Sequence, residues 1–383
     1  MGSQVRISQF PISRRTVLRA GGVIGGGLAL GLASTQSALA DPPWFAKLSP
    51  EQQVGQRVIF SYPGATPSDE MLQLIKDGMV GGLIFFGENI LSLAQIADVV
   101  TELKAAHAQS PTSDSPLLLM TDQEGGVVRR LRGQEPILSE KQVGASADPL
   151  AEATKAGNGA GLALKSIGMN LNLAPVEDVY REEGNFDDRF GRSYSSDFAV
   201  CGELGAAFVQ AERATGVAST AKHYPGLGWA TRDENTDLGV VTLSQSAAEI
   251  RAIDEAAFTP VIAAGVELVM TSWATYPAID PDYPAGLSKI FVDGELRGRQ
   301  HFQGVTITDA LEAGALDPYG DTGERSVLAA DAGMDVLLCS GRDVQQGKDA
   351  VSGVTAALAS GRLNPGHFKI ALTRVRRLRD SLS

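Results

Sequence analysis

The stretch Leu117-Leu118-Leu119-Met120-Thr121-Asp122-Gln123-Glu124-Gly125-Gly126 is an apolar run of strand length that stops abruptly on acids and paired glycines. A short run with no polar alternation describes a strand buried on both faces, which is how parallel strands read. The same pattern recurs along the chain, at Arg57–Ser61, Gly82–Phe86, Asn170–Ala174, Ala218–Lys222, Leu268–Ser272, Gly304–Thr308 and Asp335–Cys339. Between these runs lie longer segments with apolar residues three and four apart, clearest at Leu93–Ala106 and Ala247–Ala264. Strand-then-helix alternation indicates parallel βα units. Eight of them predict an α/β fold of the (β/α)8 TIM-type barrel class, a single domain closed by a last helix near Pro365–Leu382. A doubly wound open sheet is the alternative. Gly157-Asn158-Gly159 hints at a nucleotide fingerprint, but it falls inside a helical pattern rather than after a strand and is set aside.

The composition narrows the partners. The chain has 383 residues, 33 basic against 45 acidic side chains, and a net charge of −12. That balance excludes nucleic acid as the main partner, because phosphate binding needs a basic face. Two cysteines, Cys201 and Cys339, cannot build a disulfide framework and read as small core residues. Residues 1–40 carry Arg6, Arg14, Arg15 and Arg19 and no acid. Paired arginines before a modest Gly/Ala/Leu stretch, then Ala38-Leu39-Ala40, resemble a twin-arginine export signal cut after Ala40. Exported protein is therefore expected, with no stable membrane anchor, and residues 41–383 as the barrel. Loss of the four arginines deepens the charge to −16.

In a barrel, chemistry sits where strands end on the carboxyl-terminal face. Here those ends are Asp122-Gln123-Glu124-Gly125-Gly126, Pro175-Val176-Glu177-Asp178, Lys222-His223-Tyr224-Pro225-Gly226, Thr271-Ser272-Trp273 and Thr308-Asp309. Acids, an amine, an imidazole and an indole on one rim describe a polar, partly aromatic pocket suited to a sugar. No metal set and no cofactor motif emerges, and a monomer is expected.

These motifs resemble glycoside hydrolase family 3, and within it the single-domain β-N-acetylhexosaminidases. The resemblance runs from about Val54 to Cys339. It is carried by Met120–Gly126 with Arg130, by Met169–Val176, by Arg192-Ser193-Tyr194, by Ala221–Gly226, and by Pro284–Ser288 with Thr306–Leu311. It implies a carbohydrate substrate, a β-linked glycan or cell-wall fragment, and retention through a covalent intermediate. Asp309 matches the nucleophile, while Asp122, Arg130, Arg192, Lys222 and His223 match residues that hold sugar hydroxyls. Trp273 is added from the strand ends as a further sugar contact. Retention needs a proton donor about 5–5.5 Å from the nucleophile.

The loop after the fifth strand departs from the family. The hexosaminidase branch has Gly-His-Gly and, four residues on, Asp-Ser-His, whose last histidine protonates the leaving oxygen. Here the loop reads Gly226-Leu227-Gly228-Trp229-Ala230-Thr231-Arg232-Asp233-Glu234-Asn235-Thr236-Asp237. Leu227 and Asn235 replace both histidines, and an asparagine amide delivers no proton. His107, His301 and His367 fall in or beside helices. Glu234, Asp233 and Asp237 are the candidate acids, with apolar Trp229 and Leu227 available to raise a carboxyl pKa. Val127, Ala310 and Thr271-Ser272-Trp273 also differ from the family, which opens a β-glucosidase-type specificity. Two other readings stay open, a catalytically weak or silent glycan-binding protein and an aldolase using Lys222 as a Schiff-base lysine.

Overall fold

A computed structural model describes residues 43–382. The predicted export signal lies outside the described residues. Eight parallel strands appear where the apolar runs fall: β1 Val58–Phe60, β2 Gly82–Ile84, β3 Leu118–Thr121, β4 Leu171–Asn172, β5 Thr220–Tyr224, β6 Leu268–Thr271, β7 Val305–Thr308 and β8 Leu337–Leu338. Every residue of these eight strands is buried, the pattern expected of strands covered on both faces. The fold is α/β with parallel sheets. One parallel sheet runs β8-β1-β2-β3-β4 and a second β7-β6-β5, and two short antiparallel hairpins, Gln123–Gly125 with Val128–Arg129 and Thr275–Tyr276 with Asp280–Pro284, stand beside them. Isolated parallel bridges join Leu171 to Ala218 and Ile307 to Val336.

Alternate strand residues separate two cores. Leu118 and Met120, Leu171 and Leu173, Leu268 and Met270, Val305 and Ile307, and Val336 and Leu338 meet in one cluster, to which Val375 and Leu378 of the last helix add. The residues between them, such as Val58, Phe60, Leu119 and Leu337, pack outward against helices. This period-two sorting is what a sheet with helices on its outer face requires. Most of the longer helices begin on a side-chain cap that accepts from an orphan backbone N–H: Ser68, Ser92, Asp148, Asp197, Asp321, Asp343 and Asn364.

Three local differences from the sequence reading have identifiable causes. The segment at Asn170–Ala174 is regular strand only over Leu171–Asn172, with Pro175, which has no N–H to give, just beyond it; the asparagines bond across through their backbones and add side-chain bonds. Asn170 Oδ1 accepts from Leu119 N at 2.8 Å, and Asn172 Oδ1 from Gln123 N at 2.9 Å. Strand β5 runs two residues further than expected, with a register shift against β6 between Ala221 and Tyr224. The helix expected over Ala247–Ala264 is broken by a π-helical turn, Ile250–Asp254, which carries the buried Asp254 paired with Arg181 at 2.8 Å. Gly157 sits within the helix Pro149–Ser166, where a Cβ would lie 2.1 Å from the Phe208 carbonyl oxygen. Its role is helix packing, not phosphate binding. Cys201 and Cys339 are buried and unpaired. Among the described residues no helix is long and apolar enough to cross a membrane.

Candidate active site

The carboxyl-terminal strand ends open into a cavity of about 690 Å³, a size that takes a sugar residue or two. Asp122, Arg130, Arg192, Lys222, His223, Asp237 and Asp309 all line it. Consecutive residues of a regular strand point to opposite faces, yet Lys222 and His223 both reach this cavity. The register shift in β5 falls at this pair, whose joining peptide bond is cis.

A continuous charge network forms one wall. Lys222 Nζ lies 2.9 Å from Asp122 and 2.6 Å from Glu124. Arg192 makes a two-pronged contact with Glu124, at 2.9 and 3.0 Å, and reaches Asp187 at 3.1 Å. Arg130 stands 3.6 Å from Asp122. Burial by itself would raise both carboxyl pKa values. The cations outweigh it: Lys222 and Arg130 hold Asp122 below its ordinary range, and Arg192 and Lys222 hold Glu124 far below. Burial would likewise discharge Lys222, but Asp122 and Glu124 keep its pKa raised. Lys222 thus stays an ammonium, unsuited to a Schiff base, and the aldolase reading loses its only lysine.

His223 is oriented from behind. Its Nδ1 lies 2.7 Å from Asp178, whose other oxygen accepts from the backbone N–H groups of Leu227 at 2.7 Å and His223 at 3.3 Å. Burial lowers the imidazole pKa, and Asp178 more than offsets that, leaving it raised. Nε2 is left facing the cavity, 3.5 Å from Arg192. Asp187, in contrast, is pushed up to about 7 by burial and by Asp178.

The structure separates the three candidate acids. Asp237 lines the cavity, while Asp233 is exposed outside it. Glu234 turns back on its own loop, accepting from Thr231 N at 2.7 Å, and does not reach the cavity. Asp237 has its pKa raised, by burial first and then by the Asp309 carboxylate. It is accessible at the cavity wall, so water moderates the effect.

Trp273 is a correction. It is 1% exposed and lines no part of the cavity. Its indole Nε1 donates to the Ala310 carbonyl at 2.8 Å, and it packs beneath the loop that carries Asp309. An indole at a strand end turns toward whichever face gives its N–H a partner, and here that face is inward. The sequence reading left out several cavity residues. Glu124 bridges two cations at once, Lys222 and Arg192. Glu312 is tied to Ser340 Oγ at 2.6 Å and Gln346 Nε2 at 3.0 Å. Arg342 lies over the Phe86 ring at 4.9 Å. Only Glu124 carried a sequence signal, its place at a strand end.

The pattern described as the glycosyl hydrolase family 3 N-terminal domain matches residues 50–378. A secreted, uncharacterized glycosyl hydrolase of Arthroderma benhamiae is 46% identical over 332 residues, covering 86% of this chain and 93% of its own. Among solved structures, a family 3 β-N-acetylglucosaminidase of a Paenibacillus species superposes with a TM-score of 0.82 at 34% identity. The match covers 88% of this chain and 63% of that one, so this chain spans less than two thirds of that enzyme. A β-N-acetylhexosaminidase of Beutenbergia cavernae gives a TM-score of 0.79 at 33% identity, covering 87% of this chain and 99% of its own.

Proposed function

The chain belongs to glycosyl hydrolase family 3, and on that premise we propose that it is a retaining β-N-acetylhexosaminidase with Asp309 as nucleophile and Asp237 as general acid. The observation that carries this reading is that Asp237 shares the cavity with Asp309 and feels its charge. A raised carboxyl pKa suits a group that must carry a proton to the reaction.

In the first step Asp309 attacks the anomeric carbon, the glycosidic C–O bond breaks, and Asp237 gives its proton to the departing oxygen. Asp237 is then ionised. It takes a proton from the incoming water, which opens the ester to Asp309 and returns both carboxyl groups to their starting states. Asp122, Arg130, Arg192, Lys222 and His223 hold the sugar: the carboxylate accepts from hydroxyls and the cations donate. Preference for β-N-acetylglucosaminides is supported by the similar β-N-acetylglucosaminidase from Paenibacillus, and the broader hexosaminidase reading by the similar enzyme from Beutenbergia. We read the two sheets as one closed (β/α)8 barrel, supported by the bridges Leu171–Ala218 and Ile307–Val336. Export through residues 1–40 is supported by the pattern of arginines and by the secreted relative from Arthroderma.

The test is kinetic. Asp309→Ala abolishes turnover of all β-N-acetylglucosaminides. Asp237→Asn slows a disaccharide by about 100- to 10,000-fold, the usual worth of a positioned proton donor, and leaves 2,4-dinitrophenyl glycosides much less affected. A wild-type protein that binds chitobiose but turns over neither substrate returns the chain to the silent glycan-binding reading.

A further inference from the structure

Asn235 stands where the family's proton-donating histidine is expected, and the structure gives it different work. Its side-chain oxygen accepts from the backbone N–H of Asp237 at 2.8 Å. Its main-chain oxygen accepts from Leu238 N at 3.1 Å and Gly239 N at 3.2 Å. Two carbonyls of one residue therefore gather three of the next four N–H groups, an Asx-type turn closed on itself. Only the bond to Asp237 N depends on the side chain, and an amide oxygen always accepts there, whereas an imidazolium, the form that donates a proton, accepts nothing.

The turn is then fastened to the loop that follows β7. Gly314 N donates to the Asp237 carbonyl at 2.9 Å, and Ala315 N donates to the Thr236 carbonyl at 3.0 Å. The approach is close enough that a Cβ at Gly314 would lie 2.7 Å from the Leu238 carbonyl. Asp309 begins that same loop. The backbone of Asp237 is thereby locked to the segment bearing the nucleophile, at a point two residues beyond the family's donor position.

We propose that Asn235 is the positioning residue of a relocated acid: it holds Asp237 against the Asp309 loop, so that the proton donor moved along the chain without leaving the site. The inference rests on the reading of Asp237 as general acid. The groups that face Asp237 are Asp309 and Glu312 from the β7 loop, His223 from β5 and Arg192 from the loop after β4. The two acids raise its pKa and the two cations lower it, with burial the largest influence. Freeing Asp237 from the turn takes it away from the Asp309 carboxylate, so its pKa falls.

The experiment uses the full chain with chitobiose and with 2,4-dinitrophenyl β-N-acetylglucosaminide, whose leaving group needs no proton. Asn235→Ala is expected to slow chitobiose on the order of 10- to 100-fold, the effect of a misplaced catalytic group, mainly in kcat. The dinitrophenyl substrate changes only a few-fold, and the alkaline limb of the chitobiose profile moves to lower pH. Asn235→Asp keeps the accepting oxygen and recovers most of the rate. Its added negative charge moves the alkaline limb up. Should Asn235→Ala not fold, Asn235→Gln serves, since it keeps the amide but carries the oxygen one methylene out of register. Equal slowing of both substrates by Asn235→Ala or Asn235→Gln, with an unmoved pH limb, overturns the inference. If Asp237→Asn fails to discriminate the two substrates, the acid reading falls first. If it discriminates and the Asn235 variants do not, only the role of Asn235 falls.

Discussion

At the scale of single residues, the site divides into groups that meet the cavity and groups that hold those in place. Trp273 belongs to the second kind. Its Nε1–H fixes the Ala310 carbonyl, one residue beyond Asp309. Trp273→Phe keeps most of the buried area and deletes that bond. We expect kcat to fall about ten-fold, as a slightly misdirected Asp309 would give, with KM unchanged. A raised KM at constant kcat would instead mark Trp273 as a direct sugar contact. The sequence could name Asp237 only as one of three loop acids. Choosing among them depends on where the loop lands, and that depends on backbone bonds to Gly314 and Ala315 across more than seventy residues of chain. Of these contacts only Gly314 leaves a mark on residue type, and a lone glycine does not say which segment approaches it.

At the scale of elements, apolar runs located all eight strands because burial on both faces forces a continuous apolar composition. What they did not reveal is the shift in β5, since the bulge is set by pairing with β6 and not by residue type. Helices show the same division. The packing of Pro149–Ser166 on Phe198–Arg213 depends on Gly157, whose hint of a nucleotide motif the helical pattern sets aside without showing what the glycine packs against. Gly157→Ala improves helix propensity by about 1 kcal/mol, but its Cβ would meet the Phe208 carbonyl oxygen at 2.1 Å. A backbone atom cannot rotate away, so the helices must separate. Overpacking of this kind costs about 1–3 kcal/mol. A net loss of stability is expected, read as a lower urea midpoint at constant slope. A stabilised variant would mean that the two helices have slack the structure does not display.

At the scale of the whole molecule, the buried carboxyl groups give the fold a preferred pH. Glu140, Glu177 and Glu212 are pushed well above the ordinary range, and Asp254 and Glu255 rise to about 7, as Asp187 does. Burial is the first cause in each. An acid whose folded pKa exceeds its unfolded value of about 4 stabilises fully below that value, and the benefit is lost as pH climbs through the folded pKa. His223, also raised, acts in the same direction from about pH 6.5 upward. Asp122 and Glu124 act oppositely: their depressed values stabilise above about pH 4 and fail below it. The two sets leave a maximum on the acid side of neutrality, near pH 4 to 5 in order of magnitude. The melting temperature is therefore expected to fall steadily between pH 5 and pH 8. Glu177 is the sharpest probe, because neither of its buried carboxyl oxygens has a hydrogen-bond partner. Glu177→Gln removes its titration, so the variant loses less stability than the wild type across that interval. A wild-type melting temperature that rises toward pH 8 would show that these carboxyl groups ionise at little cost, through water reaching them.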